Sequence, residues 1–479
     1  MPRRGPIPKG AMALSEAPNE ARVIPEPATP ISGTGRIWKV GTLTYTFGGL
    51  VALFSWLLWG DFAWSVRDRA LQGVVQLLFQ RFGASDMLGG LLYASLPAAL
   101  GMIIGPVVGY KSDRLRTRWG RRIPFLVITT PFMVLALVGL AFSPQLGGYL
   151  HHLLGTHSPE TASCVLIFLG LFWLIFTIAL TTANSVFGAL INDVVPQEVL
   201  GRFFGLFRAV SLIVGMVFFF WWMGDVEKHF SRIFLGVAVV FGVGFTLMCL
   251  KVKEGDYPPS PEDSEARKSA FSAVKTYFRD GFGNPYYLWF FAAGILGNLA
   301  LGPFNLYCIF YAKSVSMSLS DYGKCLALTY LISFILSYPL GCLVDRFHPL
   351  RMTFVVVGFY AVAMAFSYLF VHDTMTFAIA LVIHGVIAGT FNTTSASLNQ
   401  RLLPSSKFAE IGSAGGILSS MAGMLLAPVV GSFLDYKGHD YHYTFLAGFI
   451  LAAMALVAFA VLHRQFMALG GPKLYIAPE

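Results

Sequence analysis

Charge is what this chain has least of. Asp, Glu, Lys and Arg make up 12% of its 479 residues, while 56% are hydrophobic. An ordinary water-soluble domain carries about twice that share of charge, so a soluble globule is excluded. The scarcity is uneven: residues 163–190 hold no charged side chain, and residues 143–163 hold no Lys or Arg. Cysteine is also scarce. Cys164, Cys249, Cys308, Cys325 and Cys342 fall within or beside apolar runs, without metal-ligand spacing, which fits packing residues and excludes a disulfide framework. A Gly-rich phosphate loop and any enzyme motif in its required context are missing too, so neither an enzyme nor a cofactor is expected. Residues 1–36 are rich in Pro and lack the apolar core of a signal peptide. They read as a disordered cytosolic tail.

What fills the rest is repeated apolar sequence. Runs of roughly 20 residues cross the hydrocarbon of a bilayer as helices, because only a helix satisfies its own backbone there. Twelve such runs occur, at 50–80, 87–110, 123–143, 163–190, 203–223, 233–250, 286–312, 322–344, 352–371, 375–400, 410–434 and 441–462. The predicted fold class is an all-α integral membrane protein with twelve spanning helices. The longest polar interruption, 251–285, contains Pro258, Pro259 and Pro261 and divides the runs six and six. The predicted organisation is therefore a tail (1–36), a first six-helix bundle (37–250), a linker (251–285), a second bundle (286–463) and a cytosolic tail (464–479). Within the linker, Ala270 to Phe278 reads either as a surface helix or as an unstructured loop.

The formal charge of +9 reports topology. Cations lie in short loops between apolar runs, which argues against a nucleic-acid partner and for a lipid one. The densest patch joins runs 2 and 3 and holds Lys111, Arg114, Arg116, Arg118, Arg121 and Arg122. Further cations follow runs 4, 6, 8 and 10, at Arg202, Lys251 to Lys275, Arg346 with Arg351, and Arg401 with Lys407. Both termini are therefore placed in the cytoplasm of a multi-pass protein of the cell's inner membrane. His151, His152 and His157 in the cation-free 143–163 stretch read as solvated loop residues, and no metal site is expected.

The segment Gly109-Tyr-Lys-Ser-Asp113-Arg114, followed by Gly120-Arg121-Arg122, is echoed after run 8 by Gly341-Cys-Leu-Val-Asp345-Arg346. This pattern resembles the signature of the major facilitator superfamily, whose members have twelve helices in two bundles. With Pro106, Ser112, Arg118, Trp119, Pro124 and Phe125, it is similar to the glycoside-pentoside-hexuronide branch, and most to its sucrose symporters. The resemblance implies a monomeric transporter of a sugar or glycoside working by alternating access. It also implies a gating role for Gly109, Asp113, Arg114, Gly120, Arg121, Arg122, Asp345 and Arg346. Physically, Gly109 would allow close helix approach and Asp113 would pair with an Arg or a helix N-terminus. A plain positive-inside anchor is the alternative.

Intramembrane polar groups are costly and usually functional, and they concentrate in run 1. Asp61, Ser65, Asp68, Gln72 and Gln76 fall on one helical face, as a cavity-lining helix requires. The alternative ends the helix near Val66 and leaves 67–82 as an external amphipathic segment. Gly60 to Ala63 also resembles the first helix of melibiose-type members of the branch, where the matching acid belongs to the sugar site. Trp64 shares the face of Asp61 and reads either as a sugar platform or as packing. Elsewhere Asn184, Asn298, Asn305, His384, Asn392 and Arg208 are candidate cavity residues, with helix contacts as the competing reading of the amides. Arg208 is expected to reach the cavity or to meet Asp61 or Asp68.

The chain departs from the branch in two places. Sucrose symporters carry an acid and an Arg in helix 4, where 163–190 has neither, and Gly101 and Gly105 stand where melibiose-type members hold sodium-binding acids. Asp61, Asp68 and His384 remain as coupling candidates. The expected activity is proton-coupled symport, with a uniporter or a non-transporting sensor as alternatives.

Overall fold

The computed structural model describes residues 37–257, 283–404 and 408–478. The tail 1–36, the segment around Ala270 to Phe278, Lys407 and the Gln72 side chain lie outside the described residues. Twelve helices among the described residues are long and apolar enough to span a membrane. They are α1 (Phe47–Arg81), α2 (Asp86–Arg114), α3 (Ile123–His157), α4 (Thr161–Val194), α5 (Gln197–Trp221), α6 (Met223–Lys251), α7 (Pro285–Ser314), α8 (Leu319–Phe347), α9 (Pro349–Phe370), α10 (Thr374–Leu402), α11 (Ala414–Tyr436) and α12 (Tyr443–Ala468). The protein is thus an all-α, multi-pass membrane protein.

Local sequence explains several of the helix starts. Side-chain oxygens of Thr46, Ser85, Asn284 and Ser318 accept backbone N–H bonds at the first turns of α1, α2, α7 and α8. Asp373 and Thr376 form a reciprocal capping box at α10, each arrangement satisfying orphan donors. Two boundaries differ from expectation by about ten residues or more. α3 runs to His157 instead of stopping at 143, because the apolar pattern continues through Leu146, Leu150 and Leu153 past the interior Pro144. The supposed loop shrinks accordingly, and His151 sits on the helix, its Nδ1 2.7 Å from Ser158 Oγ. α6 starts at Met223, ten residues early, and bends at His229.

Helices α1–α6 pack mainly on one another, with α3 against α4 and α6, and α1 against α5 and α6. Helices α7–α12 do likewise, with α12 against α7 and α9, and α8 against α10. The two halves meet through α2 with α11 and α5 with α8, pairs that exchange under a six-helix offset, as the repeated motif leads one to expect. The lipid-facing perimeter carries exposed Ile128, Phe132, Val239, Val243, Phe359, Val362 and Phe366, acceptable only where the surrounding medium is apolar.

The halves touch closely at one end only. We call the end holding 111–122 the basic end and the other the far end. At the far end, a Cβ on Gly431 of α11 would stand 2.6 Å from the Asp86 carbonyl oxygen, and one on Gly90 of α2 would stand 2.7 Å from that of Ala427. A Cβ on Gly323 of α8 would lie 2.2 Å from the Phe219 carbonyl oxygen of α5. Backbone therefore lies against backbone, a contact that only glycine allows. Toward the basic end a Cβ on Gly101, Gly109, Gly341, Gly412 or Gly416 would meet nothing within 4 Å. The expected close helix approach at Gly109 is thus absent, because the halves diverge there.

Ahead of α1, β1 (Trp38–Val40) pairs antiparallel with β2 (Leu43–Tyr45). This hairpin grips the chain leaving α6: Asp256 N donates to Thr42 Oγ1 at 2.8 Å, and Gly255 packs on the same hydroxyl.

Gly431→Leu should wedge α11 from α2, costing about 1–3 kcal/mol of overpacking. We expect a lower thermal midpoint and faster labelling of a cysteine placed at Ser85 by an impermeant thiol reagent, and unchanged labelling would contradict the contact.

Candidate functional site: basic loop and central cavity

The basic loop is held by carboxylates from three directions. Asp113, at the end of α2, pairs with Arg122 and stands 3.9 Å from Arg121 Nη1. Asp193, at the end of α4, takes a fork of bonds from Arg121 at 2.8 and 3.1 Å and a third from Arg122 Nε at 3.1 Å. Glu254, after α6, accepts the backbone N–H groups of Arg121, Arg122 and Ile123 at 3.0, 2.8 and 2.7 Å. Three N–H groups converging on one carboxylate cap the positive N-terminus of α3. Gly120 makes this possible: its φ is +100°, and a Cβ would stand 2.5 Å from Glu254 Cδ. The Arg121 guanidinium lies 4.0 Å over the Tyr257 ring. Burial, the largest single influence, lowers its pKa, but the bonds it donates to Asp193 together with the charges of Asp193, Tyr257 and Asp113 raise it overall. Burial and the neighbouring Glu254 push the Tyr257 hydroxyl up. Arg114 lies over Tyr110 at 3.8 Å.

Among the described residues, every group holding the loop belongs to the first six helices or the chain just after them. The sequence motif pointed to Asp113, Arg121 and Arg122 but missed Asp193 and Glu254. Only the position of Asp193, the acid closing an otherwise charge-free run, hinted at the pairing.

The second copy is looser. Asp345 at the end of α8 meets Arg401 in the last turn of α10 at 3.4 Å, both half exposed or more, and Arg346 lies over Phe347. The joint between α8 and α9 is His348, with φ +74°, whose Nδ1 accepts from Leu350 N at 3.3 Å. Burial, then Arg401, Arg351 and His463, lower its pKa to about 4.

Between the halves lies a cavity of about 640 Å³, within the range that holds small solutes. Arg69 and Gln76 of α1, and Arg208 and Ser211 of α5, face Asn305 of α7, Thr329, Tyr330 and Ser333 of α8, and His384 and Asn392 of α10 across it. Arg208 Nη2 donates to Thr393 Oγ1 at 3.0 Å, linking the halves midway. Arg69 Nη2 donates to Ser211 Oγ at 3.0 Å and the guanidinium sits 5.0 Å from the Tyr330 ring. His384 is buried in the wall with both ring nitrogens engaged, by Tyr360 Oη at 3.1 Å and Asn305 Oδ1 at 2.8 Å, so its ring is fixed in place. The floor is formed at the far end by Phe219, Met223 and Tyr322.

Of the sequence-derived candidates, Arg208, Asn305, His384 and Asn392 are brought together here. Arg208 reaches the cavity and meets Thr393, not an acid. Asn298 faces a separate 280 Å³ pocket with Asn399 and Phe391. Asn184 is exposed on α4 and lines neither cavity.

The α1 face expected to line the cavity is split. The helix does continue past Gln76 as one span, which removes the external-segment alternative. Asp61 and Ser65, however, are buried inside the first half, at 1% and 3% exposure, and Asp68 is over half exposed beside Arg67. Arg69 and Gln76, two turns apart on one line of the helix, face the cavity, while Asp61 and Ser65 lie on the side of α1 that packs within the first half. Trp64 is packing: it stacks on Phe187 and Phe245 at 5.1 and 5.3 Å. Its other neighbour is Arg67, fully buried, 4.1 Å from the Trp64 centroid and 5.5 Å from that of Phe241, a cation held by ring faces. Asp61 accepts from Ser65, while its Oδ2 has no partner.

A twelve-helix molecule with a polar cavity between pseudo-equivalent halves, closed at one end, is a membrane transporter of the major facilitator type. Residues 78–431 match the family model described as MFS/sugar transport protein, and the chain belongs to that family. Among curated proteins it is 33% identical over 87 residues to sucrose transport protein SUT1 of Oryza sativa subsp. japonica, covering 18% of this chain and 15% of that one. It is 26% identical over 162 residues to sucrose transport protein SUC3 of Arabidopsis thaliana, covering 32% and 26%. The matches thus span about a quarter or less of those relatives. Solved structures that share the fold include the nucleoside transporter NupG (TM-score 0.63, 13% identity, 86% of this chain and 100% of that one). A D-xylose-proton symporter also shares it (TM-score 0.61, 13% identity, 89% and 98%). The family's members are transporters and not enzymes.

Glu254→Ala should destabilise the first half by about 2 kcal/mol through loss of its charge-assisted bonds. Gly120→Ala should act on the same contact, so the double variant should lose little more than the worse single. Additive shifts in thermal midpoint would separate the two. For His348, the folded state resists the proton that an unfolded histidine takes near pH 6.5. Stability should therefore be intact above pH 6.5 and fall as pH drops toward about 4, and His348→Asn should flatten that part of the profile.

Proposed function

We propose that this protein is a secondary active transporter that moves a sugar or glycoside across the inner membrane by alternating access, coupled to protons. The observation that carries the reading is the cavity of about 640 Å³ between the halves, lined from both sides by guanidinium, amide and hydroxyl groups. Such groups suit sugar hydroxyls, and Tyr330 and Tyr322 offer ring faces for the C–H side. The family's printed description and the names of the sucrose transport relatives support the substrate class. The basic end is the cytoplasmic one by its cations, which places both termini inside. With the far end shut, the structure then corresponds to an inward-facing state. The halves on either side of 251–285 are the moving bodies, and the monomer is the working unit.

Coupling needs a group whose charge changes with loading. Asp61 is a buried carboxylate with an unsatisfied oxygen, electrostatically linked to Arg69 in the cavity wall. It would sense the solute through that guanidinium while remaining outside the sugar's contact shell. One observation favours a uniporter instead: among the described residues, no Asp or Glu lines the cavity.

In proteoliposomes, Asp61→Asn should abolish uphill accumulation of radiolabelled sugar while sparing exchange. Arg208→Ala should cut both by about tenfold, as loss of one charge-assisted bond does. Uphill uptake intact in Asp61→Asn would leave only facilitated passage.

A further inference from the structure

We propose that Asp86, Asp435 and His439 form a zinc-class transition-metal site that staples the two halves together at the far end. Its inhibitory consequence rests on the transport reading above, but the site itself does not.

Asp86 begins α2 in the first half. Asp435 lies in the last turn of α11, and His439 follows four residues later with φ +64°, turned back over the helix end. One ligand atom from each lies within 4.8 Å of the others. His439 Nδ1 stands 2.7 Å from Asp86 Oδ2 and 3.6 Å from Asp435 Oδ1. Bonds of about 2.0–2.1 Å in tetrahedral geometry put neighbouring ligand atoms about 3.3 Å apart, between those two separations, so shifts of well under 1 Å would admit an ion. One nitrogen and two carboxylate oxygens match zinc better than the harder cations, which call for six or more oxygens.

The ligands are already oriented. Both Asp435 oxygens accept backbone N–H groups, from Asp86 and Met87, at 2.9 Å, leaving each a free lone pair. Tyr441 Oη donates to Asp86 Oδ1 at 3.1 Å. Such outer bonds are what hold ligands in real metal sites. Access is provided by a cavity of about 790 Å³ opening on the cluster. Its cation, Lys313, is matched by Glu227 across the gap. Asp86 is 4% exposed and His439 56%, so an ion approaching from the cavity meets the histidine first and the buried carboxylate behind it. The two sides separate whenever the far end opens, so an ion shared between them would hold it closed.

The test uses the purified full-length chain and metal chlorides alone. Micromolar Zn²⁺ should raise the thermal midpoint by several degrees, whereas Mg²⁺ and Ca²⁺ should not, and EDTA should reverse the rise. Asp435→Asn and His439→Ala, each first checked for monodisperse elution, should both lose the rise. A rise that persists in both variants would overturn the site, as would one that vanishes only when His151, His152 and His157 are replaced. In proteoliposomes Zn²⁺ should stop sugar uptake by the wild type but not by His439→Ala, each compared with its own zinc-free rate. Zinc binding with uptake unimpaired would overturn the staple. Absence of any zinc-free uptake would count against the transport reading, while the thermal measurement still decides the site.

Discussion

The contact on which the arrangement depends is the approach of α2 to α11 and of α5 to α8 through glycine. At Gly90, Gly431 and Gly323 a single added carbon would fall inside a neighbouring backbone. These helices are the seam between the halves, so their closeness at one end fixes the divergence at the other. The cavity and its floor follow from that one asymmetry. Hydrophobic burial supplies no comparable specificity in lipid, where tails are as apolar as leucine. Close backbone contact and the polar bonds of the Asp86 cluster do.

The basic loop works on a different principle. Its cations outnumber nearby acids, yet the two that matter, Arg121 and Arg122, are partly or largely buried and engaged by Asp113, Asp193 and the caps from Glu254. Of the other four, Arg116 and Arg118 are exposed and engaged locally, by the Leu115 carbonyl and the Trp119 ring. Cohesion of the first half is thus carried by Arg121 and Arg122 and not by the exposed members of the segment. The second copy after α8 keeps Asp345 but has no counterpart of the Arg121 and Arg122 pair, and its single ion pair is exposed. Exposed pairs of this kind contribute little.

The twelve helices were readable because apolar length is a local property. Arg208, Asn305, His384 and Asn392 were also legible, since a polar group within an apolar run is conspicuous wherever it points. What could not be read was orientation. Spacing groups Asp61, Ser65, Asp68 and Gln76 on one broad face, but which of them meets the cavity and which the interior of the first half is set by the neighbouring helices. Trp64 looked like a sugar platform from spacing alone, but the rings that claim it, Phe187 and Phe245, come from α4 and α6. The far-end cluster was invisible for a related reason: Asp86 and His439 are 353 residues apart, so no spacing rule could join them.

The hairpin ahead of α1 has a mechanical meaning. Thr42 holds the backbone at Asp256, two residues beyond the carboxylate that caps α3, so the entry and exit of the first six helices are knotted at one point. Tension applied to the chain at Asp256 would be shared through Thr42 and Glu254 with the start of α1 and the N-terminus of α3, instead of falling on the last turn of α6 alone.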